Sequence, residues 1–458
     1  MRILHAIHDF LPRHHAGSEI YAFDLCRELA STEHVSVVCA EFDPSRSHGE
    51  VTWRIHDGLP VIEIVNNWVC STFEETYRSP RITQQLAHVL HAVQPHVLHV
   101  HNLLNLSFDL TAVARARRIP IVATLHDYTL VCPAGGQRVH RAADHVCETI
   151  DPDRCVRCFR ESPYQAHAAL GRLASVAPAR GALRRTARNL LRVLPSAAAV
   201  VAKTVRQAPL FPIASQDIER RLAAARRVFD EIDLFVAPSP TIASEFEQLG
   251  LPRSKLRIAD YGFAPLLRPP SNGHGRNLRI GFVGTLVWHK GVHVLLDAVR
   301  RLSPDRFELK IFGDPSVFPD YVAELRQRAA GLPVTFKGAF DRRSVSDIYG
   351  QMDVLAVPSL WLENSPLVIH EAFMAGVAVV GARIGGIADL IEHGRNGLLY
   401  EPRSATDLAA ALDTLIRNRS RVVALASQAP AVKSIADDAR DWRSIYEALA
   451  SPTAVALT

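Results

Sequence analysis

No apolar run in the 458 residues approaches the ~20 needed to cross a bilayer. The longest, roughly Val193 to Ala202, is about half that, and Met1 to Ile7 is broken by Arg2 and His5 before reaching Asp9. Neither a membrane span nor a secretory leader is read from the sequence. Cysteine is sparse: seven residues, an odd count without the regular spacing of a secreted disulfide scaffold, which points to a reducing, cytoplasmic setting. Neither half carries G-x-G-x-x-G after its first strand, which argues against a nicotinamide dehydrogenase, and no H-E-x-x-H is present. Acidic residues are missing between Ser162 and Gln216, whereas Arg172, Arg180, Arg184, Arg185, Arg188, Arg192, Lys203 and Arg206 are basic. Aromatic residues do not interleave with these arginines as a nucleic-acid module requires. The stretch reads as a solvated helical face, or as a surface resting on anionic lipid. The net charge of +5 permits such an attraction without demanding it.

What is present is an alternation of short Val/Ile/Leu runs with helical patterns, made twice. The runs are 3–7, 35–40, 61–65, 97–101 and 119–125, then 279–284, 308–313, 334–337, 354–358 and 377–381. Continuous apolar runs separated by amphipathic helices predict parallel strands buried on both faces, hence an α/β protein of two Rossmann-like, doubly wound domains. Pro265, Pro269, Pro270 and the Ser271–Gly275 stretch mark a linker, dividing residues 1–265 from 276–434, with 435–458 as a closing helix and tail. Residues 131–230 interrupt the first alternation and read as an insertion.

Ligands of open α/β sheets bind beyond the carboxyl ends of the strands. In the second half the loop after 354–358 runs Ser359-Leu-Trp-Leu-Glu363-Asn364-Ser365-Pro366, followed by a helix to Ala375. Ser365 suits its N-cap, Pro366 its first turn and Gly376 its C-terminal cap, so the positive end of the helix points into the expected cleft. Glu363 and Glu371 can accept hydrogen bonds from sugar or ribose hydroxyls, although the same spacing also fits plain helix charges. Lys290, in Thr285-Leu-Val-Trp-His-Lys290-Gly291, can neutralise a leaving diphosphate. Gly385 and Gly386, after Val379–Gly381, let backbone amides approach a phosphate or sugar.

The run from Ser359 to Gly376 resembles the E-x7-E signature of the family 4 glycosyltransferases, which have the GT-B fold, and Ile384–Asp389 and Gly394–Leu399 continue the pattern. The resemblance covers most of 278–402. It implies that Glu371 holds the nucleotide ribose, Glu363 the transferred sugar and Lys290 the diphosphate, with Asn364, Ser365, Pro366, Leu367, Gly385 and Gly386 around the donor. It also implies retention of anomeric configuration and no catalytic metal. Many members carry Arg where this chain has Thr285, so charge neutralisation falls more heavily on Lys290 and helix amides.

In the first half, Pro12 and His15-Ala-Gly17-Ser18-Glu19 resemble the family's first glycine loop, with Gly17 kept. Thr124-Leu-His126-Asp127-Tyr128 closes the fifth run, and the resemblance makes His126 a substrate contact near the reacting centre. Cys132, Cys147, Cys155 and Cys158 form C-x14-C-x7-C-x2-C, which suits either a structural zinc or four reduced thiols. Asp151-Pro-Asp153, outside any strand, reads as a turn. The expectation is a retaining glycosyltransferase, taking a UDP- or GDP-linked sugar to a glycan or lipid-linked acceptor. A nucleotide-sugar epimerase of the same fold and a non-catalytic sugar-nucleotide binder are the alternatives.

Overall fold

The computed structural model describes residues 1–43, 45–140, 145–162, 164, 168, 212–266 and 277–451. The basic stretch Ala166–Arg206 and the linker residues Pro269–Gly275 fall outside these, save Ala168. Among the described residues, no helix is long and apolar enough to cross a membrane.

The first domain is built on β1 (Arg2–Ile7), β2 (His34–Glu41), β3 (Val51–His56), β4 (Leu59–Val65), β5 (Val97–Val100) and β6 (Ile121–Thr124). After a small hairpin of β7 (Val139–His140) and β8 (His145–Val146) it adds β9 (Leu234–Ala237) and β10 (Leu256–Ile258). The eight-stranded sheet has the order β10-β9-β6-β5-β1-β2-β4-β3 and is parallel except where β3 pairs with β4. β3 was missed because its polar, half-exposed pattern lacks the apolar run that marks its neighbours. The helix Ser215–Glu231 lies within the span read as an insertion, yet Ile218, Ala224, Ala225, Val228 and Phe229 belong to the main core of this domain.

The second sheet holds β11 (Leu278–Val283), β12 (Phe307–Phe312), β13 (Val334–Gly338), β14 (Val354–Val357), β15 (Ala378–Ala382) and β16 (Gly397–Tyr400). All six are parallel in the order β13-β12-β11-β14-β15-β16, the doubly wound arrangement whose direction reverses between β11 and β14.

The helix Ile435–Ala450 returns to the first domain. Ser434 caps it by accepting from the Asp437 amide at 3.1 Å, and Ile435, Ala439, Trp442, Ile445 and Tyr446 form its buried stripe. These side chains join the cluster around Ile3, Leu25 and Val37, where each fully buried large apolar side chain contributes about 1.5–3 kcal/mol.

Candidate functional site

The loops leaving β11 and β14 flank the point at which the second sheet reverses, and they are joined backbone to backbone. Leu360 N–H donates to the His289 carbonyl at 2.8 Å. Gly291 adopts φ +71°, and a Cβ there would stand 1.8 Å from the Pro358 oxygen, so only glycine permits this approach. The result places the Lys290 Nζ 2.7 Å from Glu363 Oε1, which also accepts from Ser359 Oγ at 2.6 Å. Glu363 is 3% exposed, and a carboxylate so placed requires a partner. The ammonium also lies 5.4 Å from the Trp361 ring centroid.

Glu371 is buried on the helix Leu367–Ala375 and accepts from Tyr349 OH at 2.9 Å. Burial raises its pKa, while the Arg342 guanidinium, 3.9 Å away, pulls it back. Arg342, in the loop after β13, is also ion-paired with Asp24 of the helix Gly17–Leu29. The carboxylate expected to hold the ribose is thereby linked to the opposite domain.

Several expected details are rearranged. Ser365 is not the N-cap: that position falls to Pro366, and the helix begins at Leu367. The Ser365 hydroxyl instead bonds Asp260 at 2.8 Å and His370 at 2.9 Å. Gly386 does not offer its amide to a ligand, because it donates to the Glu363 carbonyl at 2.7 Å. A Cβ on Gly386 would meet the Asn364 oxygen at 1.7 Å, so Gly385 and Gly386 are small in order to admit the 363–364 backbone. Gly376 does cap the helix, in the left-handed region at φ +70°. Thr285 is exposed in its loop. Asp151 is the N-cap of the helix Pro152–Glu161, accepting from the Asp153 and Arg154 amides, rather than part of a turn.

On the facing side, Gly17 packs against Leu367, with its Cβ position 3.5 Å from that side chain. His126 ends β6 in contact with the donor loop: Asn364 Nδ2 donates to the His126 carbonyl and, at 2.9 Å, to Tyr261 OH. Both ring nitrogens of His126 are engaged, Nδ1 with Tyr261 OH at 2.8 Å and Nε2 with His101 Nδ1 at 2.9 Å. Burial lowers its pKa to about 3, so the ring is neutral.

Asp24, Asp260, Tyr261, Arg342 and Tyr349 escaped the sequence reading, since none sits in a motif. Their one signal was position, Arg342 following β13 and Asp260–Tyr261 following β10, at carboxyl strand ends.

The four insertion cysteines come from a loop, the hairpin and one helix, and all are half-buried. They lie close enough to raise one another: Cys155 and Cys158 are pushed up to about 12, chiefly by burial and then by neighbouring thiols. Among the described residues, the groups with three or more ligand atoms within 4.8 Å of one another are His5–His99–His101 and His8–Asp9–Glu19, neither with a cysteine.

Two family models match this chain. Residues 15–202 match the family model Glycosyltransferase Family 4, and residues 277–418 match Glycosyl transferases group 1. Sulfoquinovosyl transferase SQD2 of Arabidopsis thaliana is 29% identical over 202 residues, covering 41% of this chain and 38% of that protein. D-inositol 3-phosphate glycosyltransferase of Rhodococcus erythropolis is 34% identical over 161 residues, covering 33% and 36%. The chain thus spans less than two fifths of the length of these curated relatives. In three dimensions it superposes on sucrose-phosphate synthase from Thermosynechococcus elongatus with a TM-score of 0.66 at 16% identity, over 98% of both chains. Anabaena HepE, solved in complex with UDP and glucose, gives a TM-score of 0.61 at 18% identity, over 100% of this chain and 99% of that one.

Proposed function

The chain belongs to the family 4, group 1 glycosyltransferases and has the GT-B fold, and from that premise we propose that it moves a sugar from a nucleoside diphosphate to a glycan or lipid-linked acceptor, retaining anomeric configuration and using no catalytic metal. The observation that carries this reading is the assembly of Lys290, Glu363 and Glu371 around the switch point of one sheet. A cation for diphosphate and two carboxylates for hydroxyl groups match the chemistry of a nucleotide sugar.

Donor binding would exchange partners. The diphosphate draws Lys290 from Glu363, whose freed oxygen accepts from a sugar hydroxyl. Glu371 accepts from the ribose, and the helix Leu367–Ala375 presents its positive end to negative charge. The acceptor hydroxyl then attacks the anomeric carbon on the face from which the diphosphate leaves, and a leaving oxygen takes the hydroxyl proton. The protein supplies orientation and charge stabilisation. Thr285 brings no charge, so Lys290 carries more of this stabilisation. The Asp24–Arg342 and Asn364–His126 contacts hold the two domains together, and their closing over donor would exclude water.

Cys132, Cys147, Cys155 and Cys158 have the chemistry of a zinc donor set, but no three of their sulfurs lie within 4.8 Å of one another, so a zinc would require them to draw together, and with four protein ligands it would be structural. Binding of UDP in the Anabaena structure favours a uridine donor. We place the reaction at the cytoplasmic face of a membrane in polysaccharide assembly, in keeping with the basic stretch of 166–206.

The test is a thermal-shift screen of the purified protein against UDP, GDP, ADP and their sugar conjugates. Stabilisation by one nucleotide names the base, because a ligand that binds only the folded state raises apparent stability. Product analysis with the matching sugar separates transfer from epimerisation. A folded protein that responds to none of the panel overturns the donor-site reading.

A further inference from the structure

Behind the cleft lies a row of buried imidazoles whose hydrogen bonds run in one direction. His5 Nδ1 is 3.0 Å from His101 Nε2, His101 Nδ1 is 2.9 Å from His126 Nε2, and His126 Nδ1 is 2.8 Å from Tyr261 OH. Distances alone leave each proton unplaced, since a neutral imidazole has one donor and one acceptor nitrogen. The end of the row places them. The Asn364 side-chain oxygen accepts from the Ser365 amide at 2.6 Å, and its nitrogen faces the His126 carbonyl, which can only accept. The amide is therefore fixed, and its nitrogen donates to Tyr261 OH at 2.9 Å.

Tyr261 OH, already accepting from Asn364, finds its acceptor in His126 Nδ1. His126 must then carry its proton on Nε2 and donate to His101, and His101 in turn donates from Nε2 to His5. His5 is fully buried, and among the described residues its Nε2 has no partner. The opposite direction would leave two groups unsatisfied, that nitrogen and the Tyr261 proton, rather than one.

We propose that Tyr261 and His101 are positioning residues that hold His126 as the Nε2–H tautomer, with the lone pair on Nδ1 facing Tyr261. The assignment rests on the reading of His126 as a substrate contact. Tyr261 already occupies Nδ1, so a sugar hydroxyl reaches His126 there only by taking the place of the phenol, and it must then donate its own proton; the position selects a hydroxyl and rejects a carboxylate or carbonyl oxygen. An imidazole with free choice of tautomer would accept either.

The experiment is nitrogen-15 NMR of histidine-labelled, full-length protein without ligand, where the two tautomers give distinct ring-nitrogen shifts, with His126→Gln supplying the assignment. An Nε2–H tautomer at His126 is expected, and a proton on Nδ1 overturns the proposal. Tyr261→Phe should mix the tautomers and lower kcat/KM about tenfold, the worth of one hydrogen bond, chiefly through KM. His101→Asn, which keeps an oxygen near the place of Nδ1, should retain more activity than His101→Leu. Unchanged tautomer and kinetics in Tyr261→Phe would also overturn it. The ligand-free spectrum requires no turnover, so failure to find any transfer activity would sink the functional reading without touching the tautomer.

Discussion

Lys290 and Glu363 neutralise each other, with 2.7 Å between ammonium and carboxylate, where the carboxylate has almost no access to water. A diphosphate that recruits Lys290 competes with Glu363 for the ammonium, so in the proposed reaction donor binding would loosen this pair and free Glu363.

Lys290→Ala should reduce turnover by about 10²-fold or more through lost stabilisation of the leaving group. It should also lower the melting temperature, because Glu363 is left as an unpaired buried charge. Adding Glu363→Gln should restore the melting temperature and leave turnover low. Recovery of both, measured by calorimetry and steady-state kinetics, would remove Lys290 from the reaction.

Glu371 has its pKa raised by burial, so above the ordinary carboxylate range the fold carries the strain of a buried negative charge. That contribution to stability is present at low pH and is lost as pH rises through the raised value. In the proposed donor site ribose hydroxyls would donate to the charged form, so nucleotide affinity should increase as pH climbs through the same window. Titration calorimetry of wild type and Glu371→Gln checks this, and the variant should bind weakly with a flat profile.

Five of the six strands and the three loops of the second domain were legible because buried parallel strands write continuous apolar runs, and a glycine such as Gly376 marks a helix end by its backbone geometry; β16, four residues long, was not among the runs. What pairs with what was not legible. Ser365 has the composition of an N-cap, but competition from Asp260 and His370 takes its hydroxyl. Gly386 has the composition of a phosphate loop, but its amide is taken by Glu363. These outcomes depend on contacts between segments far apart in sequence, as does the Arg342 bridge to Asp24, and no local pattern records them.

Burial holds His5 and His126 near pKa 3, and His99 and His101 well below 6.5. Unfolded histidines take up protons below about 6.5 whereas these do not, so the stability they allow at neutral pH is lost as pH falls from 6.5 towards 3. Each can remove up to about 1.4 kcal/mol per pH unit. Denaturant midpoints should therefore fall steeply between pH 7 and 5, and His5→Gln should flatten the slope. A pH-independent midpoint would contradict four neutral imidazoles in the core.

If Cys132, Cys147, Cys155 and Cys158 draw together on a zinc, metal analysis of protein purified without chelator will find about one zinc per chain. Removing it should leave catalysis of a still-folded protein intact while lowering the melting temperature, since thiols held near pKa 12 are poor substitutes for metal-bound thiolates. Absence of zinc, with all four thiols titratable by a thiol reagent on denaturation, would assign them as reduced cysteines.

The return of the helix Ile435–Ala450 to the first domain bears on biosynthesis. Tyr446 bonds His99 at 2.7 Å, and Trp442 and Asp438 both bond the Tyr21 hydroxyl at 2.8 Å, so the first domain is completed by a helix that follows the second. Domains generally fold in the order they leave the ribosome. Here the first domain emerges with part of its apolar face and a buried histidine uncovered, and must wait for the whole second domain to be translated before it is sealed. A nascent chain paused anywhere before Trp442 would thus leave that face of the first domain open to solvent, an exposure that the second domain, with its own core, does not share.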